Sequence, residues 1–300
     1  MTLLSRIGYK PKISERLSGI PHCIQAADIS VIVPVKNNQA GVDRLLKELF
    51  RHTPRQHLPK EILIVDNNSD TPIEVASAYG IVHVVKCTTP GPAAARNAGL
   101  KASSGSWSLF IDSDCIPTPT MLMGYETEKN IHVGYAGHVN PKNHGALSRY
   151  YTSQEILIPP KAVDNNRERP DYLVTANCLI LNDALALIGG FDEGFHQAGG
   201  EDIDIAFRLL TIGSLCYQFS SVVEHDYSES IFDFVKRFYR YGKGNRKIAA
   251  KYSLDLRPSL FKPQDRSLVN SILAVFQFLS LSAGYHFGYE EGTDYLTKRA

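Results

Sequence analysis

The sequence is poor in cysteine and shows no regular cysteine spacing. Its 300 residues contain no Cys-x-x-Cys motif, and the five cysteines are scattered over Cys23, Cys87, Cys115, Cys178 and Cys216. An odd, scattered set is typical neither of a disulfide framework nor of a zinc site. Because free thiols persist in a reducing compartment, we expect a cytoplasmic protein.

An excess of charge of either sign is also missing. Lys and Arg together number 32, and Asp and Glu 31, which gives a net charge of +1. Such a chain has no overall field that attracts nucleic acid, so any affinity for an anion must come from local groups. We therefore expect no nucleic-acid partner, and the composition predicts nothing about the oligomeric state.

The N-terminus lacks the apolar segment of a signal peptide. Residues 1–12 carry Arg6, Lys10 and Lys12 without an apolar run, so we expect no secretory signal. The sequence also shows no internal repeat and no low-complexity segment. With 43% hydrophobic residues, the chain can bury one substantial core, which favours one principal domain with an appendage.

Apolar periodicity predicts strands that alternate with helices. The predicted strands are 29–35, 61–65, 82–86, 108–111 and 172–181, and the predicted helices are 41–51, 73–79, 92–102, 182–188, 202–212 and 230–241. The alternation before residue 115 implies right-handed βαβ units, so we expect an α/β fold with a mostly parallel, Rossmann-like sheet and helices on both faces. Residues 120–170 are ambiguous.

Polar residues follow the predicted strands where ligands of such sheets collect. The loops after four strands are 34–38, 66–70, 89–92 and 112–114. They should converge on one crevice rich in Asp and Asn. Asp112 and Asp114 point to the same face because they are two residues apart, and together they can hold a hard divalent cation.

A second acidic cluster, Glu201, Asp202 and Asp204, lies at the start of a predicted helix. A free aspartate, with a pKa of about 3.9, is a weak base near neutrality, but crowding by like charge raises the pKa of one member of such a group. Two simpler interpretations stay open. Asp112 to Asp114 can be an Asp-rich turn, and the second cluster can be helix N-terminal acids favoured by the macrodipole.

Five motifs taken together resemble the inverting nucleotide-sugar glycosyltransferases of glycosyltransferase family 2, which have the GT-A fold. The resemblance covers residues 29 to about 245. The motifs that carry it are Val31-Ile32-Val33-Pro34, Val65-Asp66-Asn67-Asn68-Ser69, Ala95-Arg96-Asn97-Ala98-Gly99, Asp112-Ser113-Asp114, and Gly190-Phe191-Asp192 followed by Gly200-Glu201-Asp202. Each alone is weak, and their order is what makes the set specific.

The resemblance implies roles for individual residues. It makes Asp202 the catalytic base, with Glu201 and Asp204 as accessory residues. It makes Asp114 a ligand of Mn²⁺ or Mg²⁺ and places Asp112 nearer the ribose. The other donor-nucleotide residues that it implies are Pro34, Lys36, Asp66, Asn67 and Arg96.

His225 follows an apolar run at a position where the family often has a histidine, so it is a candidate third metal ligand that suits manganese. It can also be an ordinary histidine packed at a strand end. Three other histidines have weaker claims: His138, His144 and His196. Likewise, Arg96 can project into the crevice or lie with its apolar stem on the sheet.

The turn at Asp66 and Asn67 departs from the family, where two acidic residues are more usual. An asparagine offers a donor and an acceptor and can pair with the imide edge of uracil, so a UDP-sugar is the favoured donor. An Asx turn satisfying its own backbone is compatible with the same sequence. The acceptor is not identified, although Tyr150, Tyr151 and Tyr172 could stack on a sugar or belong to the core.

The C-terminal part contains two unusual segments. The basic run 236–251 has seven Lys and Arg residues and no acid, and it can form a solvated helix face, a lip over the diphosphate or a patch for anionic lipid. Residues 267–289 contain no charged side chain of Asp, Glu, Lys or Arg. Their polar residues favour a buried or interfacial helix pair over a membrane span.

Taken together, these features predict a metal-dependent inverting glycosyltransferase that moves a sugar from a nucleoside-diphosphate sugar to an acceptor hydroxyl. The expected parts are an N-terminal arm (1–28), a GT-A catalytic domain (29–228) and a C-terminal helical extension (229–300), with peripheral contact to the cytoplasmic face of a membrane. A sugar-phosphate nucleotidyltransferase and a non-catalytic carbohydrate-binding relative are the alternatives.

Overall fold

The computed structural model describes residues 21, 23–142, 145–158, 161–164, 167–227 and 230–288. The expectations for residues 1–12, most of the N-terminal arm, His144 and Tyr289 therefore lie outside the described residues.

A mixed sheet of eight strands, in the order β3-β2-β1-β4-β9-β6-β10-β5, forms the centre of the structure, and β7 and β8 form a separate hairpin. The strands are β1 Ile29–Val35, β2 Glu61–Asp66, β3 Val82–Lys86, β4 Trp107–Ile111, β5 Cys115–Pro117, β6 Gly134–Pro141, β7 Lys161–Asp164, β8 Arg167–Pro170, β9 Asn177–Leu181 and β10 Leu215–His225. The helices are α1 Gln39–His52, α2 Pro92–Ala102, α3 Ala146–Ser153, α4 Asn182–Ile188, α5 Glu201–Leu209, α6 Ile231–Tyr252 and α7 Leu268–Phe287.

The first four strands are parallel, as the alternation of strands and helices predicts. β1 pairs with β2 and with β4, and β2 pairs with β3, all in parallel. β1 and β4 are buried along almost their whole length, which is typical of strands covered on both faces. Their carboxyl ends therefore lie along one edge, and the loops after them meet there.

The other half of the sheet is mixed. β9 lies antiparallel between β4 and β6, and β10 pairs parallel with β6 and antiparallel with the short strand β5. The last pairing sets His225 opposite Cys115. As a result, the end of β10 lies next to the Asp112 to Asp114 turn.

Three predicted elements differ from the structure. The predicted helix 73–79 is wrong: the segment is irregular, and its start is held to β2 and α1 because the N–H of Ile73 donates to the Asp66 side chain and that of Glu74 to the Gln39 side chain. The predicted strand 172–181 forms only at Asn177–Leu181. The helix predicted at 230–241 begins after the Ser230 cap but continues to Tyr252.

Helices α6 and α7 pack side by side, and a glycine on each helix allows their backbones to approach closely. A Cβ on Gly242 would overlap the carbonyl of Leu281, and a Cβ on Gly284 would overlap the carbonyl of Tyr239. An apolar cluster that includes Tyr150, Phe234 and Leu273 joins these two helices to α3. The C-terminal helices are thus packed against the α/β unit.

Residues 268–287 form one continuous helix, so the expected helix pair is wrong. Gly284 does not interrupt α7, because it faces the backbone of α6. By length and composition, the helix is long and apolar enough to cross a membrane. Its polar residues Asn270, Gln277 and Ser280 face inward and are buried.

The outward face of α7 is apolar. It exposes six large apolar side chains, which we call the outer face: Leu268, Val269, Ile272, Val275, Phe276 and Leu279. Most amphipathic helices place their apolar stripe against the core. In α7, the outer face exposes large apolar side chains, while three polar side chains are buried.

Replacing Gly284 with alanine should weaken the docking of α7. The new methyl group must displace the α6 backbone, so we expect Gly284→Ala to lower the free energy of unfolding by about 1–3 kcal/mol, the usual cost of overpacking. Urea unfolding measures this loss. Ser282→Ala on the same helix is the control, since that side chain is only partly buried. Equal stability of the two variants would show that α7 is not docked through Gly284.

Candidate functional site

A cavity of about 790 Å³ opens at the carboxyl edge of the sheet. Its floor comes from the end of β1, the start of α2 and the 112–114 turn, and one side comes from the loop leading into α5. The opposite side is formed by α6, α7 and residues 154–158. The crevice predicted from the strand ends is therefore present, and the C-terminal helices close it.

The turn after β4 presents Asp112 and Asp114 to this cavity. Ser113, between them, accepts a hydrogen bond from the Asn38 amide at 3.1 Å, and the same Asn38 caps α1 through the N–H of Gly41. The turn is thus attached to the start of α1. Both carboxylates remain accessible, with 34% of the Asp112 side chain and 46% of the Asp114 side chain exposed.

Arg96 is a buried bridge between the two acidic motifs. Its Nη2 lies 3.2 Å from Asp112 Oδ1 and its Nη1 lies 3.0 Å from Glu201 Oε1. The guanidinium also lies over the Phe191 ring at 5.7 Å. The side chain reaches the cavity wall but is 3% exposed, so its charge is already matched by two carboxylates.

Asp202 lies beside this bridge at the first turn of α5. The chain enters α5 through Gly199 and Gly200, both at positive φ, and Glu201 folds back to accept the Gly199 N–H at 2.6 Å. Burial, and then the charge of Glu201, raise the pKa of Asp202 to about 7, against the lowering effect of Arg96. A carboxylate with such a pKa can exchange a proton near neutrality.

Asp114 and His225 form a second pair across the β5–β10 ladder. His225 Nε2 lies 3.4 Å from Asp114 Oδ2, and the ring is 2% exposed and stacked on Tyr227. The Nδ1 atom of His225 is buried without a hydrogen-bond partner. Oxygen and imidazole ligands this close together suit one Mn²⁺-type cation, so these two residues fit the expected metal.

Cys115 is the third potential ligand of this group, with all three ligand atoms within 4.8 Å of one another. Burial, together with the charges of Asp114 and Asp112, raises the pKa of its thiol well above the usual value. Metals bind the thiolate rather than the thiol. The arrangement therefore favours Asp114 and His225 as the ligands.

Asp66 and Asn67 are held by the backbone around them. Asp66 accepts the N–H groups of Ser69 and Ile73, and although burial raises its pKa, these hydrogen bonds lower it overall. The amide of Asn67 donates to the carbonyls of Cys87 and Thr89 and accepts from Gly91. Asn67 lines the cavity and Asp66 does not, so the Asx-turn interpretation describes Asp66 well.

Asp204 faces away from the cavity. It is fully buried, and its carboxylate pairs with Arg208 at 2.7 Å and with Lys251 at 2.5 Å, while the Tyr252 hydroxyl donates to it at 2.6 Å. Residues two apart on a helix point to different sides. Of the two acids flanking Asp202, the structure therefore gives the electrostatic role to Glu201.

The other candidates divide between the cavity and the rest of the fold. Pro34, Lys36 and His196 line the cavity, whereas His138 bonds the Tyr217 hydroxyl within the sheet. Of the three tyrosines proposed for stacking, Tyr172 lines the cavity. Tyr150 and Tyr151 are fully buried in the cluster beneath α6 and α7.

Several cavity residues come from the C-terminal helices. From the sequence, the basic run 236–251 is considered as a whole, and no single residue of it is named as a site residue. Arg237, Arg240 and Tyr241 on α6 and Gln277 on α7 line the cavity. The spacing of 237, 240 and 241 puts these three residues on one face of α6, and the helix predicted at 230–241 already contains them.

The end of the basic run ties α6 to the α/β unit. Lys251 pairs with Asp192 and Asp204, Lys247 donates to the Gly194 carbonyl, and Arg246 donates to carbonyls at the end of α7. The run is therefore not a uniformly solvated face.

This chain is similar to known proteins both in sequence and in structure. Residues 30–145 match the sequence model of glycosyl transferase family 2. The chain is 28% identical over 241 residues to the pre-mycofactocin glycosyltransferase of Mycobacterium tuberculosis, an alignment that covers 75% of this chain and 48% of the relative. The chain thus spans about half the length of that curated relative.

Solved structures share the fold. The Staphylococcus aureus TarS fragment 1–349 in complex with UDP-GlcNAc matches with a TM-score of 0.54 at 18% identity, over 85% of this chain and 74% of that one. The mannosyltransferase PcManGT of Pyrobaculum calidifontis, in complex with GDP-Man and Mn²⁺, also has a TM-score of 0.54, at 15% identity over 94% and 79%. The fold expected from the sequence, GT-A with C-terminal helices, is confirmed.

The raised pKa of Asp202 predicts a pH-dependent effect on stability. Since the folded state holds this proton more tightly than the unfolded chain, the contribution of Asp202 is favourable at low pH and is lost as pH rises through about 7. Asp202→Asn removes that loss, so its Tm should exceed that of the wild type by more at pH 8 than at pH 5. Thermal unfolding at both pH values measures the difference.

Asp255→Asn, which removes an exposed carboxylate, controls for the general loss of one negative charge. A pH-independent offset for Asp202→Asn would contradict the assignment of a raised pKa.

Proposed function

We propose that this chain, which belongs to glycosyl transferase family 2, transfers a sugar from a nucleoside-diphosphate sugar to an acceptor hydroxyl with inversion and with a divalent cation. The observation that carries the proposal is the Arg96 bridge. It holds the Asp112 to Asp114 turn and the start of α5 on either side of one cavity.

On the donor side, the proposal assigns the cation to Asp114 and His225. When bound, the cation would stabilise the negative charge that develops on the diphosphate leaving group. Asp112, Pro34, Lys36 and Asn67 line the same part of the cavity and are proposed to bind the nucleotide, with Asp66 shaping the turn behind them.

On the acceptor side, Asp202 is proposed as the general base. Its carboxylate lines the cavity, and a pKa near 7 allows it to accept the hydroxyl proton as the new bond forms. Inversion requires attack from the side opposite the leaving group. The separation of Asp202 from the Asp114–His225 pair by the Arg96 bridge supports this division of roles.

The identity of the donor nucleotide is a choice between uridine and guanosine. TarS is solved with UDP-GlcNAc and PcManGT with GDP-Man, and the Asn67 amide expected to read a uracil is engaged by carbonyls. We keep a UDP-sugar as the proposed donor and include GDP-sugars in the test.

Two rivals share parts of this geometry. A nucleotidyltransferase normally uses a glycine-rich, basic loop after the first strand, and here residues 36–41 contain one lysine and one glycine. A non-catalytic sugar-binding relative would have no use for an aspartate whose pKa is raised beside a cation site.

A panel of UDP- and GDP-sugars, incubated with Mn²⁺ and with a chelator control, tests the function. We expect metal-dependent release of a nucleoside diphosphate, with water accepting the sugar when no acceptor is present. A parallel incubation with nucleoside triphosphates and sugar 1-phosphates tests the first rival, because a nucleotidyltransferase would release pyrophosphate there. No turnover in either incubation would favour the binding relative.

Substitutions should separate the two sides of the cavity. Asp114→Ala should abolish Mn²⁺-dependent donor binding, whereas Asp202→Asn should keep donor binding within about twofold and lower turnover at least roughly 10²-fold, the usual scale for a general base. Calorimetry with the donor that the panel identifies, combined with turnover assays, measures both. Equal loss of donor binding in the two variants would refute the division of roles.

We also propose that the outer face of α7 rests on the cytoplasmic surface of an anionic membrane. The face is apolar from Leu268 to Leu279, and the exposed residues Lys262, Asp265 and Arg266, which together carry one net positive charge, precede it. A cation near an anionic bilayer contributes about 1 kcal/mol, which adds to the burial of an interfacial helix.

Sedimentation with lipid vesicles tests this contact. The protein should bind phosphatidylglycerol-containing vesicles at low salt, less at high salt, and Ile272→Asp with Leu279→Asp should abolish binding. Leu187→Asp, which places one negative charge on an exposed apolar site of α4, should bind like the wild type, and Ile272→Asp alone is its charge-matched counterpart. Failure of the wild type to sediment would exclude the membrane contact.

A further inference from the structure

The two sides of the cavity carry opposite charge. The side built from the 112–114 turn and the start of α5 presents carboxylates. On the other side, α6 and α7 present Arg237 and Arg240 and no carboxylate, since the one acid within these two helices, Asp233, caps the start of α6. The adjoining segment 154–158 adds a single carboxylate, Glu155. An anion entering the cavity would therefore be attracted to the helical side.

On that side, Arg240 carries a positive charge that is not neutralised by an ion pair with any described residue. Among the residues that the structure describes, it has no carboxylate within ion-pair distance, and its Nε is buried without a hydrogen-bond partner. Arg237, in contrast, lies over the Tyr151 ring at 5.6 Å and hydrogen-bonds Tyr241. Burying part of an unpaired guanidinium is unfavourable, so a ligand that supplies an oxyanion would relieve that cost.

Arg240 lies on the Asp202 side of the cavity. A Cβ on Gly199 would be 3.2 Å from the Arg240 carbonyl, and Gly244 packs directly on Gly199. The neighbouring Tyr241 is close enough for the charge of Asp202 to raise its pKa, after the larger effect of burial. The Asp114–His225 pair, in contrast, belongs to the β5–β10 edge.

Gln277 and Asn245 add neutral amide groups to the lining of the same cavity. The Gln277 Oε1 accepts the Tyr150 hydroxyl at 2.7 Å, which fixes the amide and leaves its nitrogen available as a donor. A guanidinium in a cavity that also presents amide groups is well suited to a phosphate or a carboxylate.

We infer that the acceptor carries an oxyanion, a phosphate ester or a carboxylate, which Arg240 binds while the acceptor hydroxyl faces Asp202. This inference rests on the proposed function, because it presumes that the donor diphosphate is bound at Asp114 and His225. The same chemistry could come from the donor diphosphate itself, so the experiment must separate these two sources.

The probes are glycerol 3-phosphate and glycerate, with uncharged glycerol for comparison, each titrated calorimetrically into the full chain with and without saturating UDP and Mn²⁺. We expect at least one anionic probe to bind in both conditions and glycerol not to bind. Arg240→Gln should weaken the anionic probe roughly tenfold or more, since hydrogen bonds to charged groups are the strong ones, and Arg240→Lys should retain part of the affinity.

Lys236→Gln is the matched control, because it removes one positive charge from α6 outside the cavity, and it should leave both affinities unchanged. Arg240→Gln should keep UDP affinity within about twofold, since a group that contacts only the acceptor does not contribute to donor binding.

Three results would overturn the inference: no anionic probe binds the wild type, UDP displaces the probe, or Arg240→Gln weakens UDP as much as the probe. The last two would assign Arg240 to the donor diphosphate. If UDP with Mn²⁺ does not bind at all, the choice of donor fails, while the titrations without nucleotide still decide whether Arg240 binds an oxyanion.

Discussion

The site depends on a single buried guanidinium. Arg96 extends from α2, which packs on the parallel half of the sheet, and its two ion pairs join a turn after β4 to a helix that begins about 90 residues later. Desolvation of a buried ion pair can offset its attraction, yet removing one partner leaves an uncompensated charge and costs on the order of 3–5 kcal/mol. The bridge is therefore better explained as fixing the relative position of two acidic segments than as a source of stability.

Its geometry also sets the chemistry of Asp202. Glu201 uses one carboxylate oxygen for Arg96 and the other for the Gly199 N–H, so it stays close to Asp202 as a fixed negative charge. Burial is the largest cause of the raised Asp202 pKa, the charge of Glu201 adds to it, and Arg96 lowers it only in part. Because Arg96 is paired with Asp112 and Glu201, Asp202 is the carboxylate of the three that can take a proton near neutrality.

The sequence predicts the parallel half of this fold well, and the reason is local. The buried run Ile29 to Val35 and the capped helix after it satisfy strand and helix patterns that tertiary contacts do not override. The prediction fails for the segment after Asp66, where tertiary hydrogen bonds from Ile73 to Asp66 and from Glu74 to Gln39 hold an irregular backbone against β2 and α1. The position of Asp112 and Asp202 in one cavity was predictable from motif order. Arg240 lines the cavity and the buried Asp204 faces away from it because of how α6 packs, which no local pattern encodes.

The C-terminal helices connect the cavity to the proposed membrane surface. On α7, Gln277 faces the cavity while Ile272 and Val275 face outward, so one rigid helix carries both surfaces. Close packing at Gly242 and Gly284 leaves little room for α7 to shift alone. Because α6 packs in turn on the Gly199 to Gly200 entry of α5, a contact that fixes α7 also restricts the segment that positions Asp202. An acceptor bound between these helices and Asp202 would therefore be held at a defined distance from the surface on which α7 rests.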